Sequence, residues 1–398
     1  MSILLTLFVC LTVAYFFSEA CRLVRLPRVI GQIGTGIILG LPLIKERLLT
    51  PVSMDALSSI ANIGFVLLLF FAGLETNFTS FMRNIKLGAS ISIFKTLIPF
   101  LLGFFISSLF GFNTTVSLIV GVVLSVSAAA VSIDVLEELN LLKTKFSSTL
   151  ISVNAVNDVI EFFVIAIVLA LGNLGKMKYG LYELFFEIAL FIVLVIIFKS
   201  FIIPFILKTV EKEKSATSLF YGSIIIALLM ATLSDVLGLG SLIGALLAGI
   251  IVRKILLSGK ERRPWEEHSI AKMIHTITFG FFAPLFFVYI GLNANIYQNF
   301  NIPFSVMITL FALLGTLLGT IFGNFIIKGG YKEGALMGWG LGTKGDTDLI
   351  IAAIALQNGL INPAIFTAIV FMSLSTTVIS AVIFRINVAR ECKFLKIC

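Results

Sequence analysis

Four polar residues interrupt an otherwise apolar stretch, ISVNAVNDVIEFFVIAIVLALG at positions 151–172: Asn154, Asn157, Asp158 and Glu161. Their spacing of i, i+3, i+4, i+7 puts them on one face of a helix. A helix of about 20 apolar residues crosses a hydrocarbon layer about 30 Å thick, and Asp158 lies roughly 18 Å along this one, near the middle. A carboxylate at that depth costs several kcal/mol unless it meets a partner or a polar cavity, and is a functional candidate by default. A stripe that merely glued two helices together would be served by Asn, Ser or Thr alone.

The chemistry these side chains suit is cation handling. Hard cations such as Na⁺ take oxygen ligands from carboxylates, amides, hydroxyls, backbone carbonyls and water. Asp158 is therefore the candidate Na⁺ and proton ligand, with Asn157, Ser125, Ser127 and nearby carbonyls completing the set. Glu161 and Asn154 are candidate auxiliary groups on the same face. Burial disfavours a carboxylate's charged form and a bound cation favours it, so one group can hold either a proton or a metal ion. That competition couples opposite movements.

Two apolar runs carry interruptions that would position such a site. The first, VLSVSAAAVSIDVLEEL at 123–139, places Ser125, Ser127 and Ser132 around an Ala run; the second, GWGLGTKGDTDLIIAAIA at 338–355, holds Lys344, Asp346 and Asp348 among glycines. Unwound backbone at membrane depth is tolerated only where it is buried in protein or lines a cavity. The three charges of the second run could satisfy one another, and they join the auxiliary candidates. Lys95 and Lys199 also fall in apolar runs; each is expected to snorkel or find a carboxylate, without a site role.

The elements around these residues follow from composition. The 398 residues are 59% hydrophobic and 13% charged, with mean hydropathy +1.10, far from a soluble domain. Punctuation by polar residues, Gly and Pro cuts the chain into about thirteen spanning runs, near 2–20, 29–44, 57–74, 87–111, 114–133, 147–171, 181–207, 217–235, 238–255, 271–292, 303–327, 334–359 and 363–385. The fold class expected is an all-α integral membrane protein. The alternating ten-residue segments of a β-barrel are absent, and the first run lacks the basic start and cleavage site of a signal peptide. With helix ends alternating sides, 22 of the 29 Lys and Arg residues fall on one face, against four (Lys45, Arg47, Lys176, Lys178) on the other. The positive-inside rule then puts the N-terminus outside and the C-terminus in the cytoplasm, with the plasma membrane as the expected location. The net charge of +8 is spread through loops, so nucleic acid is not an expected partner.

The interruptions fall in the fifth and twelfth runs, and a shift of seven inverts topology. Paired broken helices in inverted repeats point to a secondary transporter with a midplane site. No Ser/His, His/Cys or metal-spaced cluster supports an enzyme. His268 and His275 are seven positions apart, Cys10, Cys21, Cys392 and Cys398 have no motif spacing, and no cofactor is expected.

The segments LPRVIGQIGTGIILG (26–40), VLLLFFAGLETNF (66–78), NAVNDVI (154–160), FAPLFFVYIGLNANI (282–296) and GTKGDTDLIIA (342–352) resemble, in order, those of monovalent cation/proton antiporters of the Kef and Nap type. The resemblance implies a homodimer of inverted repeats built on two crossed discontinuous helices. Its dimerisation domain would take 1–80 and 216–300, its moving core 81–175 and 301–390, with a linker helix at 176–215 and a tail at 391–398. It also implies that Asp158 is the essential cation- and proton-binding aspartate, and that Asn157, where electrogenic members tend to carry Asp, marks electroneutral exchange. Three departures from the family pattern stand out. Gly31-Gln32 replaces Gly-Glu, Lys344-Gly345-Asp346 replaces Arg-Gly-Glu, and LLGTLLGTIFGNFI at 313–326 lacks the lysine of electrogenic members. The expectation is Na⁺/H⁺ antiport by alternating access across the lipid bilayer, with K⁺ or Li⁺ as the alternative cation. K⁺/H⁺ exchange or Kef-like K⁺ efflux is the near alternative, although no nucleotide-binding domain follows the spans, and a cation channel is the alternative of another class.

Overall fold

In the computed structural model the described residues are 2–75, 78–128, 130–142, 144–154, 156–157, 160, 189–190, 193–205, 216–237, 241–258, 264–294, 296, 300–345 and 347–394. Among them the regular structure is helical. In chain order the helices are α1 (Ile3–Leu23), α2 (Arg28–Leu39), α3 (Pro42–Leu48), α4 (Pro51–Glu75), α5 (Phe78–Leu109), α6 (Thr114–Ser125) and α7 (Ala130–Glu138). Then come α8, described at 145–154 and 156–157, α9 (Val193–Phe205), α10 (Ala216–Val236), α11 (Ser241–Ser258) and α12 (Pro264–Ile277). The series ends with α13 (Ala283–Asn293), α14 (Ile302–Ile326), α15 (Tyr331–Gly340), α16 (Thr347–Gln357) and α17 (Pro363–Phe394).

Among the described residues seven helices are long and apolar enough to cross a membrane, or eight if a bent pair is one span. That pair corrects the single run expected at 29–44: α2 and α3 meet at 85°. The Gly40 amide closes onto the Gly36 carbonyl, and Pro42 then opens α3 with no N–H to continue the ladder. Residues 271–292, by contrast, run from α12 into α13 through one π-type turn at Thr278–Phe282.

The chain divides into two compact units. The first (1–12, 48–76 and 169–289) has a core of Phe70, Phe198, Ile203, Ile226, Met230 and Val252. Here α4 and α11 touch through glycine: a Cβ on Gly73 would lie 2.2 Å from the Leu246 carbonyl oxygen, and one on Gly249 2.2 Å from that of Phe70. Lipid tails are as apolar as the helices, so contact comes from such close backbone packing rather than from exclusion of water.

The second unit takes 13–47, 77–168 and 290–398, and Ile91, Leu136, Leu150, Met337 and Phe384 lie in its core. Its α14 shows the inside-out pattern of a membrane helix. Leu310, Leu314, Leu318 and Phe322 are exposed, whereas Ala312, Gly315, Thr316, Gly319, Thr320 and Gly323 are buried.

Candidate cation site at two interrupted helices

Both interrupted runs are broken helices. The Asn113 side chain caps α6 by accepting the Val116 N–H at 2.9 Å, and α6 ends at Ser125, after which Val126 turns extended (φ −72, ψ 149). Likewise α15 stops at Gly340 and α16 resumes at Thr347. The two gaps satisfy each other's backbone. Ala128 N–H donates to the Thr343 carbonyl at 2.8 Å, the Thr343 hydroxyl donates back to the Ala128 carbonyl, and the Ser132 hydroxyl donates to the Gly340 carbonyl. Polar groups orphaned by the breaks, costly if left unpaired in lipid, thus find partners across the crossing.

The carbonyl end of α6 carries the negative end of its dipole, and two lysines converge on it. Lys344, 3% exposed, donates from Nζ to the Leu124 carbonyl at 2.9 Å and to that of Val126. Lys95, on α5 and 0% exposed, donates to the Ser125 carbonyl at 2.9 Å, the Ser127 hydroxyl at 2.7 Å and Asn157 Oδ1 at 2.9 Å. An ammonium has three N–H donors, and each has an acceptor here.

This arrangement changes the sequence-based picture. Ser125, Ser127 and Asn157 do come together, yet the group among their oxygens is Lys95, for which no site role was expected. Its neighbours are ordered around it: Asn157 Oδ1 also accepts from the Thr96 hydroxyl at 3.0 Å, and Asn157 Nδ2 donates to Ser127 Oγ at 3.2 Å. Ser125 contributes its carbonyl, since its hydroxyl donates to the Val122 carbonyl at 2.7 Å. One turn back on α5, the Ser92 hydroxyl donates to the Val153 carbonyl of α8 at 2.8 Å. Ser92, Lys95 and Thr96 thus form an i, i+3, i+4 polar face, the same pattern that marked Asn154 and Asn157, and it was legible in the sequence. Asn154 is half-buried on α8. Lys199 is exposed on α9. Asp158, Glu161 and Asp346 lie outside the described residues.

The placement of Lys95 follows from α14. A Cβ on Gly319 would lie 2.5 Å from the Phe94 carbonyl oxygen and 2.7 Å from Lys95 Cα; one on Gly315 would lie 2.8 Å from Pro99 Cα, and one on Gly323 2.6 Å from Ile91 Cα. Glycines at four-residue steps therefore make a groove in α14 that seats Ile91, Lys95 and Pro99, themselves four apart on α5. Both α5 and α14 precede a broken crossing. Lys95 thus stands on the helix facing α14, and the α14 glycines seat it.

Of the three charges at the second interruption that could satisfy one another, Asp346 lies outside the described residues, and Lys344 and Asp348 have the partners that follow. The α6 carbonyls hold the Lys344 ammonium, while Asp348, 0% exposed, accepts the Gly345 N–H on Oδ1 at 2.7 Å. The Thr377 hydroxyl on α17 accepts the Lys344 backbone N–H at 3.0 Å. Gly345 takes φ +123, a conformation that suits glycine alone.

The chain is 27% identical over 379 residues to a Na⁺/H⁺ antiporter of Enterococcus hirae, covering 92% of this chain and 93% of that one. It is 26% identical over 371 residues to the Na⁺/H⁺-K⁺ antiporter GerN of Bacillus cereus, covering 93% and 92%. Its fold matches the structure of the sodium proton antiporter MjNhaP1 from Methanocaldococcus jannaschii with a TM-score of 0.69 at 17% identity, over 98% of this chain and 97% of that one. The family model for the transmembrane sodium/hydrogen exchanger matches residues 5–389, and the chain belongs to that family.

Proposed function

We infer that this protein is a Na⁺/H⁺ antiporter in which Na⁺ and H⁺ compete for Asp158, one Na⁺ moving against one H⁺ by alternating access. The observation that carries the reading is the cage around Asn157, the residue preceding Asp158, at the crossing of the broken helices. Family membership and the names of the relatives support the substrates. The stoichiometry rests on charge: Asn157 carries none, and Lys95 Nζ is held by the Ser125 carbonyl, the Ser127 hydroxyl and Asn157 Oδ1. Asp158 is then the group whose charge alternates. Protonated, it crosses neutral; with Na⁺ bound it crosses equally neutral, so the two loaded states carry the same charge.

Further elements of the reading rest on the sequence. Residues 81–175 and 301–390 form the moving core, 1–80 and 216–300 the dimerisation domain, and the protein works as a homodimer. The distribution of Lys and Arg supports an outside N-terminus and a cytoplasmic C-terminus in the plasma membrane. K⁺ is a second substrate candidate because GerN, a relative over nearly its whole length, is named for K⁺ as well.

The test is purified protein in liposomes with an imposed pH gradient. Na⁺-dependent proton flux that Asp158→Asn abolishes supports the reading. Flux driven by K⁺ alone moves the substrate to K⁺, and current without counter-moving protons identifies a channel.

A further inference from the structure

Beyond the Asp158 region, unpaired oxygens gather at the second interruption. Among the described residues, Asp348 Oδ2 and Ser373 Oγ are buried without a hydrogen-bond partner, and both residues are 0% exposed. Gly345 links them. Its N–H donates to the other Asp348 oxygen at 2.7 Å, and, among the described residues beyond its chain neighbours, a Cβ built on it would lie nearest to Thr377 Oγ1 at 3.7 Å, Ser373 Oγ at 3.9 Å and Val29 Cγ1 at 4.0 Å. The absence of a side chain here leaves a small hollow. On α2, one turn beyond Val29 and on the same face, Gln32 is buried, and its Oε1 also lacks a partner among the described residues.

We propose that Asp348 and Ser373, with Gln32 beside them, hold a second monovalent cation, Na⁺, in the hollow at Gly345, separate from Asp158. Asp348 sits in the first turn of α16, at the positive end of the helix dipole. A charged carboxylate buried in a membrane requires compensation, and the Lys344 ammonium is engaged by the α6 carbonyls. Asp348, bonded to the Gly345 N–H, and Ser373, whose hydroxyl lies near the Gly345 Cβ position, each keep an oxygen unpaired, which suits a guest that takes oxygen ligands from several sides. A proton on Asp348 would serve one of these oxygens and leave the others unpaired. A water would pair them and leave the charge. A Na⁺ ion with its remaining hydration water does both. The proposal rests on Na⁺ being a substrate of this chain, and its test keeps the two claims apart.

The experiment is thermal unfolding of the purified Asp158→Asn protein in NaCl and in choline chloride of equal ionic strength. Because the first site is disabled, Na⁺ should still raise the midpoint, by about 2–4 °C at concentrations well above its Kd. Asp158→Asn/Asp348→Asn should abolish the difference, and Asp158→Asn/Ser373→Ala should shrink it. The Asn side chain retains an oxygen for the Gly345 N–H, which protects the fold. A midpoint indifferent to Na⁺ in Asp158→Asn, or a shift that survives Asp348→Asn, overturns the second site. Should the variants fail to fold, equilibrium binding of ²²Na⁺ to the wild-type protein decides: a second sodium equivalent per chain supports the site, and a single one overturns it. The antiport reading stands or falls separately, on wild-type flux in liposomes.

Discussion

Lys95 Nζ lies 2.9 Å from Asn157 Oδ1, an ammonium from α5 fixed against the residue that precedes Asp158. The same ammonium holds the carbonyl of Ser125 and the hydroxyl of Ser127, so α8 and the end of α6 are tied through one positive charge. A positive charge in lipid is costly, and here it is offset by three acceptors and by the dipole of α6. The broken helix and the lysine stabilise each other.

Replacing Lys95 by Met removes the charge while keeping most of the volume. The Ser125 carbonyl loses this donor, at about 1–3 kcal/mol for a buried group left unpaired, while Asn157 Oδ1 keeps the Thr96 hydroxyl. The expected outcome is a lower unfolding temperature together with a loss of Na⁺-dependent flux of at least about tenfold. Lys95→Arg should rescue neither, because a planar guanidinium does not fit acceptors arranged around a compact ammonium. Flux assays and thermal unfolding on the same preparations read both effects.

Asn157→Asp tests the charge balance. A carboxylate at this position faces the Lys95 ammonium and adds a titratable group beside Asp158. Exchange should then respond to membrane voltage, whereas wild-type exchange should not. Proton flux with the potential clamped at opposite signs by an ionophore separates the two proteins. Voltage-dependent flux in the wild type would contradict one-for-one exchange.

Competition for a single carboxylate fixes a pH dependence. Where the proton occupies most of the site, the apparent KM for Na⁺ should rise about tenfold for each unit by which pH falls, with maximal rate reached at higher Na⁺. A plateau in KM with falling pH would show that the proton and Na⁺ occupy different groups.

The glycine groove makes a prediction about packing. In Gly319→Val even the Cβ would come within 2.5 Å of the Phe94 backbone, so α5 must move and carry Lys95 away from Asn157. Flux should be lost and the unfolding midpoint lowered. Gly34→Ala is the contrasting variant: its Cβ would meet nothing within 4 Å, and alanine favours the helix by about 1 kcal/mol. Its midpoint should be unchanged or slightly higher.

Much of this architecture was legible in the residues themselves. Apolar run length announced α4, α10 and α14, and the small-residue interruptions at 123–139 and 338–355 announced the crossing, because lipid tolerates broken backbone only inside protein. The 85° bend between α2 and α3 was hidden from a reading by run length, since Gly40 and Pro42 hardly dent the hydropathy of 29–44. At the site, periodicity grouped Asn154 with Asn157, and serine content pointed to Ser125 and Ser127. It did not indicate that Ser125 would offer its carbonyl, which depends on a hydroxyl turning back to Val122. Lys95 was overlooked because one lysine in an apolar run fits snorkelling equally well. Only the partner helix, with glycines at 315, 319 and 323, decides that it is drawn inward. The destination of Lys344 is likewise set by a dipole on another helix, beyond the reach of local sequence.

The most direct measurement of the central claim is proton flux in liposomes holding wild-type or Asp158→Asn protein, with Na⁺ added against an imposed pH gradient and the voltage clamped at zero. The account predicts rapid Na⁺-dependent dissipation of the gradient by the wild type and none above the empty-liposome background by Asp158→Asn. Undiminished flux in Asp158→Asn would contradict it.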